Sequence, residues 1–527
     1  MRASQALCLI AGLAVTPLAS AATSYAVGYS TYLGGSSWEH ARDVVTDAQG
    51  FTYVVGGTGS GNFTGASLFP APNVYNAGQP NSAADGSFGG CDVFITKLTP
   101  GGQVLWTKYM GGPNYDRAYA VEVDAAGNVY IAGRAGKGFP VNGFQTTFSG
   151  TANPSNYGNQ NGFVAKLDGN GTVLWSTYVG TGELVRDLAL DSAGDIYIPL
   201  VMSNLSSRTA FSTPALAAFN GKFTGRYKPT PPTTNTGDVG VAKLKGDGSG
   251  VVWATWLGGA GNEGTNPSIR VDANGQSHLL FVTASTSPSL PTAGSASQTN
   301  NGGGNDSYLA KLSADGATLS YGTYVGGTGG EGHETHSLAL DAQGQAVIAI
   351  QTGSTNFPIS TGTVGAAPGA VRGANDVAIV RFDLNGARMR STVIGASGGE
   401  NPDGIYVAPD GRIVVAGETT SSDFPVTPNA LKTAYTAGDA HDGFFFVLSE
   451  DMSTVDYATY FGGTQYDNGR TAFLGPDGSV YVAGGTLSSA AQGFPLVNAY
   501  DSSYGGGSHP YAPGSGDAWV ARFTPVP

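Results

Sequence analysis

The chain has 527 residues, a formal charge of −13 at pH 7, 12% charged and 10% aromatic residues, and 82 glycines. That length exceeds one ordinary core and calls for several domains or for one domain that grows by repetition; the aromatic content excludes a disordered glycine-rich chain. A net acidic surface argues against nucleic acid and anionic membrane as partners, since both need clustered Lys and Arg.

Residues 1–22 carry Arg2, the apolar run "ALCLIAGLAV" and then "PLASAA", the charge, core and small-residue pattern of a secretory signal, with cleavage expected near Ala21 or Ala22. The mature protein is therefore expected to be secreted, periplasmic or on the cell surface. No later stretch is apolar for the length of a membrane helix, so no membrane span is expected. Only Cys91 remains after cleavage, which excludes an internal disulfide.

Residues 23–527 repeat four phrases. "GYSTYLGG" at 28–35 returns as "LWTKYMGG", "LWSTYVG", "VWATWLGG", "SYGTYVGG" and "YATYFGG". Aligning the apolar residue before the glycines gives Leu33, Met110, Val179, Leu257, Val325, Ile394 and Phe461, hence seven units. Unit two shows the phrases in order: "AYAVEVD", "GNVYIAG", a long loop with "FP", "NGFVAKL" and "LWSTYVG". Each is short, rich in Val, Ile and aromatics, and predicts a strand; they are named A, B, C and D. An Asp-x-x-Gly link between A and B predicts a tight turn, as does the C-to-D link. Seven four-stranded antiparallel units predict an all-β, seven-bladed propeller in a single domain. The seventh unit has "RTAFL", "SVYVAG" and "DAWVARF" but no D strand, so residues 28–35 are expected to supply it and close the ring.

These phrases resemble the bacterial seven-bladed propeller repeat (SBBP repeat) family, whose pattern of an aromatic with "STYLGG", an acid, "VDxxGNVYVAG", "FP" and "DAFVAKL" is matched best in blades one, two and seven. The resemblance implies the fold and little about activity. Blade three departs most, lacking "FP" and reading "YIPL".

In antiparallel blades the tight turns share one end, the bottom, and the long B-to-C loops and D-to-A connections share the other, the top. Six residues beyond the aligned apolar position stand Glu39, Asp116, Glu263, Glu331, Glu400 and Asp467, with Val185 the exception and Glu183 near it. These acids could bind Ca²⁺ with loop carbonyls; the preferred reading is that they cap exposed backbone N–H groups or pair between blades. Strand C repeats Lys97, Lys166, Lys243, Lys311, Arg381 and Arg522, read as blade-to-blade ion pairing or as stems lying on apolar surface. The strand D aromatics Tyr29, Trp106, Trp175, Trp253, Tyr321 and Tyr457 are read as packing rather than sugar platforms.

The irregular residues are more informative. "GGEGHETHSLALD" places Glu331, His333, Glu334 and His336 at the mouth of blade five, and "SSWEHARD" places Trp38, Glu39, His40 and Arg42 at that of blade one. With Arg117 and Arg186, the His and carboxylate residues are candidates for an acid/base or metal site. The favoured function is noncatalytic binding of a glycan or surface protein by a monomer, through the long top loops. The alternative is a polysaccharide-degrading enzyme, hydrolase or lyase, with its site in the top-face funnel; a purely structural surface component is a third reading.

Overall fold

The computed structural model describes residues 24–63, 91–152, 159–180, 184–202, 238–264, 266–365, 371–438, 440–507 and 516–526. They form seven antiparallel sheets, each with its strands in the order A, B, C, D from the channel outward. Blade one, for example, is Glu39–Thr46, Thr52–Thr58, Asp92–Leu98 and Val104–Met110. The fold is a seven-bladed β-propeller. No helix among the described residues is long and apolar enough to cross a membrane.

The A-to-B turns follow from their sequence. Asp47 accepts hydrogen bonds from the N–H groups of Gln49 and Phe51, at 3.0 and 2.9 Å, and Gly50 takes φ +83°. An Asp side chain thus replaces a missing ladder partner while glycine supplies the left-handed residue. The cores lie between blades: Tyr53, Val55, Ile95 and Trp106 of blade one pack with Val121, Ile131, Phe163 and Tyr178 of blade two. Both faces of each sheet are therefore covered, which explains strands that are apolar on both sides.

Closure follows the sequence reading. Ser24–Leu33 pairs antiparallel with Asp517–Val526, Leu33 opposite Ala518 and Val27 opposite Phe523, and so forms strand D of blade seven. An unpaired edge would otherwise remain on Asp517–Val526.

The repeated bases serve the scaffold, with one correction. Their carboxylate partners are the turn aspartates of the same blade, not of a neighbour: Lys243 to Asp191 at 2.8 Å, Lys311 to Asp272 at 2.9 Å and Arg381 to Asp341 at 2.6 Å. Contact with the next blade is made through turn carbonyls, as from Lys97 Nζ to Gly169 O at 3.1 Å. The six strand D aromatics are all buried and pack.

The long B-to-C loops also differ from expectation. They start at the top but run out over the edge of strand D, where they bond to its backbone. Tyr178 N donates to Gln145 O, Gly322 N to Ala293 O, Tyr460 N to Lys432 O, and Ser30 N to Val497 O. In these blades the loops blunt the outer sheet edge. The corresponding loops of blades one and three, 64–90 and 203–237, lie outside the described residues.

Candidate functional site

Strand A lines the central channel, and it is irregular in every blade. In blades one, two and six the register slips at Arg42, Tyr119 and Asp403, each the extra residue of a β-bulge. A bulge leaves one residue out of the ladder and re-aims its side chain. Strand B permits this through glycine: a Cβ on Gly56 would lie 2.0 Å from His40 O, and one on Gly133 2.0 Å from Arg117 O. Blades three, four and five have Leu200, Phe281 and Ile350 at that place. There strand A is instead split, at 186–188 and 333–337, or shortened to Ser268–Val271.

One residue per blade is thereby released into the upper channel: Arg42, Tyr119, Arg186, Asn266, Glu334, Asp403 and Arg470. Six of them stand nine residues beyond the aligned apolar position, and Arg186 stands seven beyond Val179. Tyr119 is buried, and the guanidiniums of Arg186, Arg42, Arg134 and Arg117 lie 4.3, 5.2, 5.2 and 5.3 Å from its ring centre. Burial alone would raise the phenol's pKa, but the charges of Arg134, Arg186, Arg117 and Arg42 outweigh it and draw the pKa down to about 7. Nε of Arg42 and Nε of Arg186 are buried without a hydrogen-bond partner, and neither side chain forms a salt bridge among the described residues. Arg117 reaches Tyr115 Oη at 3.2 Å and His40 Nδ1 at 2.6 Å. Arg134 donates to Gln160 Oε1 at 3.2 Å.

The facing side of the mouth is acidic, and its groups are engaged. Arg470 Nη1 meets Asp403 Oδ2 at 2.8 Å while its Nε donates to His40 Nε2 at 3.2 Å. Asn266 Nδ2 donates to Glu334 Oε2 at 3.1 Å. Glu418 accepts from Tyr466 Oη and faces His441 at 3.5 Å; beyond the burial that opposes its charge, Arg470 and His441 hold its pKa down at about 2.

His336 closes the floor of this mouth. It sits at φ +66°, a strained conformation for a side-chain-bearing residue, and reaches from blade five to Tyr119 O of blade two at 2.9 Å. Asp187 faces its Nδ1 at 3.4 Å and Asp43 its Nε2 at 3.9 Å. Burial opposes its charge, yet Asp43 and Asp187 overcome that and raise its pKa to about 9.

The sequence candidates separate accordingly. His40, Arg117, Arg186, Glu334 and His336 come together around Tyr119. His333 does not: it is buried beside Ser307 Oγ, at 3.5 Å, and burial lowers its pKa to about 4. Glu331 belongs with the repeated acids at the blade junctions. Tyr119 and Arg134 escaped the sequence reading because they stand in the regular phrases "AYAVEVD" and "YIAGR"; aligning the units on the variable strand A position would have shown Tyr119.

The repeated acids are caps. Glu400 accepts from Thr419 Oγ1 at 2.7 Å, from Ser421 Oγ, and from Ala396 N at 3.0 Å. Glu263, Glu331 and Asp467 take the same Thr and Ser hydroxyls at the end of strand B. Glu39 accepts from Thr58 Oγ1 and Gly35 N, and Asp116 from Gly112 N and Gly136 N. Hydroxyl or amide donors thus reach each of these six carboxylates, though Glu263 Oε2 is buried without a hydrogen-bond partner, and no group of three or more His, Cys, Asp or Glu is gathered as a metal site among the described residues. Burial pushes Glu39 and Glu263 up to about 8, and Glu400 and Asp467 to about 7. The strand C aspartates stand close by. The pKa of Asp306 rises to about 7, through burial first, with the neighbouring Glu331 adding to the rise. Glu183 lies outside the described residues.

No family model matches the chain, and no curated protein does. Among solved structures, the chain is similar to a protein of unknown function from Dyadobacter fermentans (12% identity, 95% of this chain and 100% of that one, TM-score 0.42). It is also similar to the quinohemoprotein alcohol dehydrogenase of Comamonas testosteroni (11%, 95% and 76%, TM-score 0.41) and to a PL25 polysaccharide lyase, an ulvan lyase (12%, 86% and 93%, TM-score 0.38). At these identities and scores the likenesses carry nothing about ligand or reaction.

Proposed function

We propose that this is an exported propeller that takes an acidic polysaccharide at the channel mouth and cleaves it by β-elimination beside a uronic acid. The observation that carries the reading is the arginine-ringed Tyr119, with the Nε of Arg42 and the Nε of Arg186 each buried and lacking an acceptor. Buried N–H groups without acceptors are costly and favour an incoming anion. A sugar carboxylate satisfies both guanidiniums, and neutralising it makes the neighbouring C5–H more acidic. The Tyr119 phenolate then takes the C5 proton. The C5–H pair becomes the C4–C5 double bond, the C4–O glycosidic bond breaks, and the phenol just formed returns its proton to the leaving oxygen. No step requires Ca²⁺. The acidic total charge is no obstacle, because the mouth itself is basic where the anion sits.

The phenol favours elimination over hydrolysis. Hydrolysis needs two available carboxyl groups flanking the bond, whereas Asp403, Glu418 and Glu334 are engaged by Arg470, Tyr466 and Asn266. Noncatalytic binding of the same polymer would need the arginines but not the phenol. The test is a screen of uronic-acid and neutral polysaccharides for ultraviolet-absorbing unsaturated products, with wild type and Tyr119→Phe. Elimination predicts product from a uronate polymer and a loss of at least about a hundredfold in the variant, with binding retained. Binding without product would return the protein to the noncatalytic reading.

A further inference from the structure

Below His336 the channel widens again into a cavity of about 300 Å³, separate from the mouth. That volume falls at the lower end of small-molecule sites. Its wall is mixed: Val45, Leu340 and Ile405 line it beside charged side chains, with Tyr406 and Phe473 packed at 4.8 Å between ring centres. A second hollow, against the bottom turns, shares Tyr406 and Phe473 with it and gives it a route to solvent.

The charges lining the cavity do not balance. Asp187 holds Arg270 Nη1 at 2.7 Å and faces His336 Nδ1 at 3.4 Å. Asp43 accepts from Val121 N at 2.9 Å and from Thr471 Oγ1 at 3.0 Å, and faces His336 Nε2 at 3.9 Å. Two carboxylates thus answer one guanidinium and one imidazolium. Glu122 is left over: it lines the cavity, is half-buried, and accepts no hydrogen bond from any described residue. Its nearest cation, Arg270, already serves Asp187 and its own neighbour's carbonyl, Ile269 O.

We infer that the lower channel is a binding site for a small organic cation, whose ammonium group pairs with Glu122 against the Tyr406 and Phe473 rings. A half-buried carboxylate without a protein donor gains from a cation that needs little water of its own, and aromatic faces attract the same charge. The Tyr406 and Phe473 rings favour an organic ammonium over an inorganic ion, which would need more oxygen ligands than Glu122 alone supplies.

The full mature chain is titrated with choline and with ethylammonium, using 3,3-dimethyl-1-butanol and KCl as controls, and followed by thermal midpoint and calorimetry. Either ammonium should raise the midpoint saturably, as mass action requires, and the controls should not. Glu122→Gln should weaken the Kd at least about tenfold, and Tyr406→Leu provides a second variant if the first fails to fold. Burial raises the Glu122 pKa to about 7, with Asp43 and Asp187 adding to the rise and Arg270 and His336 opposing it. Binding should therefore be stronger at about pH 8 than at about pH 6, provided that His336 keeps its charge over that interval. No response to either ammonium overturns the proposal. So does an equal response to the alcohol or to potassium, or an unchanged affinity in the folded variants.

Discussion

The blade junctions and the channel mouth are made from the same repeat and lie only three residues apart in most units, yet they solve opposite problems. At the junctions a carboxylate recurs in six blades, and each accepts from hydroxyls or amides of its own unit, as Glu400 does from Thr419, Ser421 and Ala396. At the mouth the side chain changes from each blade to the next except across the closure, where Arg470 of blade seven adjoins Arg42 of blade one, and Arg42 and Arg186 each keep a buried Nε without a partner. A position that repeats and is satisfied holds the ring together; a position that varies and is left wanting is available to something else. The strand A bulges separate the two, since they turn Arg42, Tyr119 and Asp403 off the ladder while the acid three residues earlier stays at its junction.

That contrast can be broken from either side. The largest effect is expected from Arg42→Met with Arg186→Met. Removing both guanidiniums should lower kcat/KM on a uronate polymer at least about a hundredfold, corresponding to roughly 2.7 kcal/mol of transition-state stabilisation. Its thermal midpoint should hold or rise, because two clustered guanidiniums, each with a buried Nε lacking a partner, are gone. A matching loss of stability would make these arginines structural after all. Glu400→Ala should do the reverse. It strands the Thr419 and Ser421 hydroxyls and the Ala396 amide, at a cost of about 1–3 kcal/mol for each group left unsatisfied and buried, while activity per folded molecule stays near wild type. Denaturant titration with a parallel activity assay separates the two outcomes.

A smaller effect concerns pH. Glu39, Glu263, Glu400, Asp467 and Asp517 are raised to about 7 or 8 by burial, far above the ordinary carboxyl range. The native state therefore keeps protons that the unfolded chain releases near pH 4. The stability this contributes is fully present below pH 4 and is lost as pH rises through about 7 to 8. The thermal midpoint should fall between about pH 5 and pH 9; a rise over that range would mean that the junction acids are ionised and paired. The smallest effect is expected from metal: midpoints in millimolar Ca²⁺ and in chelator should coincide, because hydroxyl and amide donors already engage every junction carboxylate. A saturable rise with Ca²⁺ would restore the cation reading of Glu39, Asp116, Glu263, Glu331, Glu400 and Asp467.

The fold was legible because a propeller writes its plan seven times. The spacing of Leu33 to Phe461, the Asp-x-x-Gly turns and the missing last strand each have one local cause, and Ser24–Leu33 beside Asp517–Val526 is the pairing they imply. The mouth was legible only in part. His40, Arg117, Arg186, Glu334 and His336 stood out as irregular residues near the starts of inner strands. Their neighbour Tyr119 did not, since a tyrosine in an alternating strand reads as core until a bulge turns it. His333 stood out equally and is merely buried, because the split in strand A of blade five sends His336 across the channel and leaves His333 beside Ser307. The long loops misled for a different reason: their length was read as recognition, whereas in blades two, four, six and seven they spend it covering strand D.

The central claim is that the arginine ring makes Tyr119 a base near neutral pH, and the most direct measurement is a tyrosinate titration by ultraviolet difference absorbance. Tyr29, Tyr53 and Tyr321 are raised by burial, so they stay protonated through this range. One tyrosine should ionise near pH 7 in the native wild type, and that step should be absent from Tyr119→Phe. A wild-type protein with no tyrosine ionising below about pH 9, or a step near 7 that persists in Tyr119→Phe, would contradict the account.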